Sequence, residues 1–352
     1  MSKTQAIVVR KVGEAKVVDV SIPKLRDDYI LVKTKAIALN PTDWKHIDFV
    51  APPGTRIGCD YAGIVEAVGS KVTKEFKKGD RVAGFSHGGN AVQPEDGAFG
   101  DIITAKGDLQ IKIPDNISFE EASTLGVGIS TVGQGLYQSL KLPLPNKPST
   151  SSEKKYLLIY GGSTATGSLA IQYAKLSGLT VLTTCSPHNF SYVKSLGATE
   201  VFNYNSPTVS QEIKDFTKDS LTLAFDCISE GDSAKITVSA FSPEGGVYST
   251  LLPVPEDQVK SINEKVKNQH TLAYTVVGEM FKFGPNEVPA KPEDEAFAKE
   301  FWELSRGLLA DGKVKVHKPS VNKYGKGLEG ALKGMQAMRE GKVSGEKLVF
   351  TL

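Results

Sequence analysis

Cysteine is scarce: three residues in 352, at positions 59, 185 and 227, are too few, too scattered and odd in number for a disulfide framework. A reducing compartment follows, most simply the cytoplasm. Neither sign of charge is in excess. The 42 Lys and Arg against 40 Asp and Glu leave a net +2, which gives no basis for binding nucleic acid or an acidic membrane surface. There is no run of about 18 apolar residues to span a bilayer, and the opening MSKTQAIVVRK meets charge too early for a signal peptide. Internal repeats and low-complexity tracts are missing too. What is present is 40% hydrophobic residues, 34 glycines and enough length for two domains with separate cores, as in a globular α/β protein.

The richest segment is YLLIYGGSTATGSLAIQYAKLSGLTVLTTCS, Tyr156 to Ser186. Tyr156 to Tyr160 reads as a strand covered on both faces. Gly161 and Gly162 permit a tight turn with close approach of the main chain to a ligand. A helix follows from about Gly167, with Leu169, Ala170, Tyr173, Ala174 and Leu176 on its apolar face and Gly178 to stop it. Strand, glycine turn, helix and strand in this order form a βαβ unit suited to a dinucleotide, with the pyrophosphate at the helix N-terminus. The fingerprint is irregular, because Ser163 and Thr166 stand near positions where glycine or alanine is usual. Ser163, Thr164 and Thr166 either donate to phosphate oxygens or cap the helix, and both roles are compatible.

Cofactor choice is legible in a missing acid. NAD-selective sites place a carboxylate about 20 residues after the glycines to accept from the ribose 2′-hydroxyl. Here Thr183 to Asn189 reads TTCSPHN. A 2′-phosphate meets no repulsion, Ser186 and Asn189 can donate to it, and Tyr204 in VFNYNS can close over the adenosine, so NADPH is expected rather than NADH. Ligands in such sheets bind outside the carboxyl ends of strands, which adds Asp226, Cys227 and Ile228 at one strand end and Leu251 to Pro253 at the next.

Before this segment, QAIVVR, KVVDV, YILVKTKAIAL, AGIVEAVG, RVAGF and DIITA alternate with turn signals and suggest a mostly antiparallel, barrel-like domain. LPLPNKPSTSSEKK, residues 142–155, reads as an exposed loop. FAKEFWELSRGLL is an amphipathic packing helix. His87 and His188 read as loop histidines without an acid at relay spacing.

ALNPTDWK, GCDYAGIVEAVG, KKGDRVAGF, TLGVGISTVGQGLY, YGGSTATG, KSLGATEVFNY and GEKLVF together resemble the medium-chain dehydrogenase/reductase superfamily over essentially the whole chain. The nearest likeness is to its zinc-independent quinone oxidoreductase and enoyl reductase branch, and YGGSTATG with CSPHN is similar to fungal trans-acting enoyl reductases that partner polyketide synthases. The resemblance implies a GroES-like β-barrel catalytic domain, residues 1–125 and 290–352, plus an inserted Rossmann domain with a doubly wound parallel sheet, residues 126–289, with the cofactor in the cleft between them. It also implies no metal, since Asn40 replaces a catalytic Cys and Cys59-Asp60 a His-Glu pair, and a lone thiol beside an acid lacks the ligands zinc prefers.

By the same resemblance Lys45 falls where zinc enzymes keep a proton-relay histidine. Its ammonium is suited to stabilise the enolate formed when hydride adds to an enone or enoyl thioester; a surface lysine or a ribose contact is the alternative. Asp43 either holds this loop or pairs with Lys45. Thr131 matches the helix under the nicotinamide, where its hydroxyl contacts the carboxamide, or else bonds back to its own helix. YTVVGEMFKF, Tyr274 to Phe283, reads either as pocket wall or as core. The expected activity is NADPH-dependent reduction of an activated carbon–carbon double bond. The alternatives are a quinone oxidoreductase and a non-catalytic NADPH-binding protein. The partners implied are an acyl-thioester or other small-molecule substrate, a polyketide synthase and a second copy joined sheet edge to sheet edge.

Overall fold

The structure is a computed structural model that describes residues 3–151 and 154–352. Seven strands come first: β1 (Lys3–Lys11), β2 (Glu14–Ser21), β3 (Tyr29–Ala38), β4 (Asp60–Val68), β5 (Arg81–Phe85), β6 (Ile102–Lys106) and β7 (Gln110–Lys112). A short helix α1 (Pro41–Lys45) lies between β3 and β4, and α2 (Phe119–Ala122) and α3 (Gly126–Val132) follow β7. Next come β8 (Tyr156–Tyr160), α4 (Ala165–Leu176), β9 (Thr180–Cys185), α5 (Phe190–Ser195), β10 (Glu200–Asn203), α6 (Val209–Thr217), β11 (Leu223–Asp226), α7 (Ser233–Ser239), β12 (Gly246–Thr250), α8 (Glu256–Ile262) and β13 (Val266–His270). The chain closes with β14 (Phe281–Phe283), β15 (Asn286–Val288), α9 (Pro292–Ala310), β16 (Pro319–Val321), α10 (Gly327–Arg339) and β17 (Lys347–Thr351).

Two compact units result: everything up to Ser130 together with Tyr274–Leu352, and the contiguous Thr131–Ala273. The sequence boundaries at 125/126 and 289/290 therefore shift. Tyr274 and the β14–β15 hairpin lie with the first unit, where Tyr274 packs against the rings of His46, Phe85 and His87 and Phe281 against His87, with Val276 and Val277 also buried. Of the two readings of Tyr274 to Phe283, burial in the core is the one these contacts describe.

The first unit is a mainly antiparallel sheet in the order β16-β17-β3-β4-β5-β7, with β6 also paired to β3 and a separate β1–β2 ribbon. Ile7, Ile30, Tyr61, Val65, Phe99 and Phe350 are buried in one core. β17 is antiparallel to β3, Val349 facing Ala38, so the end of the sequence finishes a sheet begun near its start. Helix α9 buries Phe301, Trp302, Leu308 and Leu309, and the Trp302 indole N–H donates to Ser130 Oγ at 3.2 Å. Truncating so fully buried a ring to Ala costs about 3–5 kcal/mol.

The second unit is parallel throughout, in the order β10-β9-β8-β11-β12-β13, so the winding direction reverses between β8 and β11. The residues Leu157 to Tyr160 are buried, as expected for a strand with helices on both faces. Gly135 lies against β11, where an added Cβ would stand 2.4 Å from the Phe225 ring. In the proline- and serine-rich stretch, residues 146–151 and 154–155 are exposed, and Ser152 and Glu153 lie outside the described residues.

Candidate functional site

In the second unit the sequence-predicted binding residues gather along one edge. Gly161 to Thr166 follow β8, Ser186 and Asn189 follow β9, Tyr204 follows β10, Cys227 follows β11 and Leu251 follows β12, all at carboxyl ends of parallel strands. This is where a doubly wound sheet binds ligands, at the reversal of strand order. The loops there are tied together. Gly161 and Gly162 donate to Thr184 Oγ1 and Thr184 O at 3.1 and 2.9 Å, and Cys227 N donates to Tyr160 O at 3.0 Å. Leu251 N donates to Ser229 Oγ at 3.0 Å.

The glycines are sterically required. Gly161 has φ +81°, and a Cβ there would stand 2.8 Å from Ile228. A Cβ on Gly162 would meet Thr183 Oγ1 at 2.0 Å, and one on Gly167 would meet Gly161 O at 2.2 Å, so this turn has no room for side chains as the strand passes into α4. The helix starts two residues earlier than expected, at Ala165, because Thr164 caps it: its hydroxyl accepts from Gly167 N at 2.9 Å and donates to Gly161 O at 2.8 Å. Of the two roles open to Thr164, these contacts describe the cap. Ser163 and Thr166 are half-buried on the same turn. Ala165 and Thr166 supply the first-turn amides that have no acceptor within the helix.

At the end of β9, Ser186 Oγ and Tyr204 OH lie 3.2 Å apart, and the Asn189 side chain is 3.2 Å from His188 Nε2. Tyr204 is 37% exposed, so its ring is accessible to a ligand. Asp226 is a structural acid rather than a pocket wall. Fully buried, it accepts from Ile228 N and Ser229 N at 2.9 and 2.8 Å and from Ser233 Oγ and Tyr248 OH at 2.7 and 2.6 Å. Neutral donors, a tight glycine turn and a helix N-terminus at this edge fit a dinucleotide.

In the first unit Lys45 ends α1, half-buried, with its ammonium 5.7 Å from the Trp44 ring. Pro41 fits the first helical position, where no amide is needed. Asp43 resolves its two readings in favour of holding the turn: Oδ2 accepts from Asn40 N at 2.6 Å, while Oδ1 has no hydrogen-bond partner. Burial pushes this carboxyl up to about 8, and the Asp60 charge adds to the shift. Thr42 Oγ lies 2.7 Å from Tyr274 OH, which is 3.7 Å from Cys59 Sγ. Burial holds His46 and His87 neutral, down to about 4 and about 3. His87 packs as a ring in the aromatic core rather than in an open loop. Thr131 is 4% exposed in α3 and is the first residue of the second unit, whereas Lys45 belongs to the first.

Sequence reasoning missed a buried ion pair. Lys347 Nζ lies 2.6 Å from Asp60 Oδ2 and donates to Asn40 Oδ1 at 2.6 Å, with both charged side chains under 3% exposed. Asp60 Oδ1 accepts from Val127 N at 2.6 Å. This donor set does not suit zinc. The Asn40 and Asp60 oxygens already face an ammonium, burial pushes the Cys59 thiol well above its usual range, and no group of three His, Cys, Asp or Glu among the described residues could hold a metal.

Comparison with known proteins follows the same division. The "Alcohol dehydrogenase GroES-like domain" family matches residues 26–115, and the "Zinc-binding dehydrogenase" family matches residues 165–290. A trans-enoyl reductase of Alternaria alternata, ACTTS2, is 46% identical over 353 residues and covers 100% of both chains. The chain belongs to the medium-chain dehydrogenase/reductase superfamily. A second superfamily member, the trans-enoyl reductase TOXD of Cochliobolus carbonum, is 57% identical over 80% of this chain and 93% of its own. The quinone oxidoreductase of Coxiella burnetii shares the superfamily fold, with TM-score 0.73 at 24% identity over 100% of both chains. As a medium-chain reductase of the enoyl reductase type, the protein is an enzyme that reduces a carbon–carbon double bond, and the superfamily implies a nicotinamide cofactor. Among the described residues no helix is long and apolar enough to cross a membrane.

Proposed function

We propose that the protein reduces an enoyl thioester or a small enone with NADPH and without a metal. The observation that carries the cofactor choice is the acid-free end of β9, where Ser186 and Tyr204 place two hydroxyls 3.2 Å apart beside Asn189. Gly161, Gly162, Ser163, Thr166, Cys227 and Leu251 hold the dinucleotide along the carboxyl edge of the sheet, and Thr164 shapes the turn beneath it.

When bound, the reduced nicotinamide supplies a hydride to the β-carbon of the acceptor. Negative charge then develops on the acceptor's carbonyl oxygen, the Lys45 ammonium stabilises it, and a proton taken up from solvent at the α-carbon completes the reduction. The Thr131 hydroxyl orients the carboxamide. With Asn40 and Asp60 already turned to Lys347, activation rests on these donors rather than on a Lewis acid. An enoyl thioester carried by a separate polyketide synthase is the substrate source that fits the trans-enoyl reductase relatives. The cytoplasm, and a homodimer joined at an edge of the parallel sheet, belong to the same reading.

Steady-state oxidation of NADPH against enoyl thioesters, enones and quinones, with and without exhaustive chelation, tests it. The expected result is turnover of thioesters or enones at equal rates in both conditions. Turnover confined to quinones would move the substrate assignment, and activity lost on chelation would overturn metal independence.

A further inference from the structure

Lys347 opens β17, yet its ammonium is buried and serves two residues that begin other elements. Asn40, immediately before α1, offers Oδ1 at 2.6 Å, and Asp60, at the start of β4, offers Oδ2 at 2.6 Å. The same Asp60 carboxylate uses its second oxygen to accept from Val127 N at 2.6 Å, in the first turn of α3. The fit is close: a Cβ on Gly126 would stand 2.4 Å from Asp60 Oδ1. One ammonium thus joins the start of the helix that ends in Lys45 to the start of the helix that contains Thr131.

The charges around it are few. Asp43, 1% exposed, is pushed towards its neutral form, as is the Cys59 thiol, and His317 is held neutral by burial and by the nearby Lys347 charge. Lys347 and Asp60 therefore form a buried pair of one cation and one anion in neutral surroundings. Such a pair contributes little net stability compared with an uncharged replacement; what it supplies here is geometry, joining the starts of α1, β4 and α3 to β17.

We propose that Lys347 is a positioning residue for double-bond reduction: its ammonium, held by Asn40 and Asp60, fixes the starts of α1 and α3 within the first unit and so sets the Lys45 ammonium for the reaction. The proposal rests on the functional reading of Lys45 given above. A misplacement of about 1 Å in a reacting constellation costs on the order of 10²-fold in rate, so small shifts of these helices are sufficient.

The test is a neutral double variant of the full chain, Lys347→Met with Asp60→Asn. It leaves no stranded charge, and the new amide still accepts from Val127 N. The expected result is an unfolding temperature close to the parent's, KM for the nicotinamide cofactor within about twofold, and kcat lower by about tenfold or more. Adding the same pair of changes to Lys45→Ala should cost less than about twofold further, because the two act through one constellation. Parental kcat in the folded double variant overturns the proposal. So does a fall in kcat that merely tracks a fall in unfolding temperature and recovers when the variant is assayed well below it. If Lys45→Ala alone keeps full kcat, the reading of Lys45 fails, and kcat of the neutral double variant still decides whether Lys347 matters.

Discussion

The two units handle polarity in opposite ways. Along the edge of the parallel sheet, polar groups are neutral, half-exposed and set by the main chain: a glycine turn, a capped helix and the Ser186–Tyr204 hydroxyl pair. Beneath α1, one cation and one anion, Lys347 and Asp60, are desolvated together and set by side chains from distant parts of the sequence, both under 4% exposed beside a neutral Asp43. A site for a ligand that carries its own charge needs donors that water can also reach. A site that must meet charge appearing during a reaction is better fixed beforehand, because reorganisation at that moment adds to the barrier.

The comparison breaks most sharply at Lys45. Lys45→Ala should lower kcat by about 10²-fold or more, the scale for losing one oxyanion donor, with NADPH affinity nearly unchanged. Single-turnover kinetics with calorimetric NADPH titration measures both, and a weakened NADPH with normal kcat would reassign the ammonium to the cofactor.

A smaller effect belongs to the neutral edge. Parent NADPH should bind at least about tenfold more tightly than NADH, equivalent to about 1.4 kcal/mol, and Ser186→Asp should invert the order by putting an anion where the 2′-phosphate is accepted. Equal affinities of the parent for the two cofactors would remove that assignment.

The smallest effect sharpens the account of the buried cluster. Asp43 has a folded-state pKa raised to about 8 by burial, so it contributes its full stability below the unfolded value near 4, and that contribution is lost as pH rises towards 8. Asp43→Asn cannot ionise and still accepts from Asn40 N. It should flatten the fall in unfolding temperature between pH 5 and pH 8.5 by about a few degrees, as differential scanning fluorimetry at the two pH values would show. An unchanged slope would mean that Asp43 is charged throughout.

The parallel unit was legible because its signals are local. Strand, glycine turn and helix lie within one short stretch, and the missing acid after β9 follows soon after; the Thr164 hydroxyl stayed open between two roles, since a cap and a phosphate donor look alike in sequence. The barrel strands were legible from alternation and turns. The boundary near Tyr274 was not, because YTVVGEMFKF is apolar whichever unit it joins, and only packing against Phe85, His46 and His87 decides. Lys347 was hidden for a different reason. A lysine before LVF reads as a strand's exposed entry, and nothing near it in the sequence announces partners at 40 and 60.

That hidden pair also restricts how this sequence can vary. Replacing Lys347 by a neutral residue alone strands an anion in the interior, and replacing Asp60 by a neutral residue alone strands a cation. Breaking such a buried pair from one side costs about 3–5 kcal/mol, whereas a joint change to two neutral residues is expected to leave the fold near the parent's stability. Two positions 287 residues apart in sequence (347 − 60) are therefore expected to vary together, each constraining what the other can become.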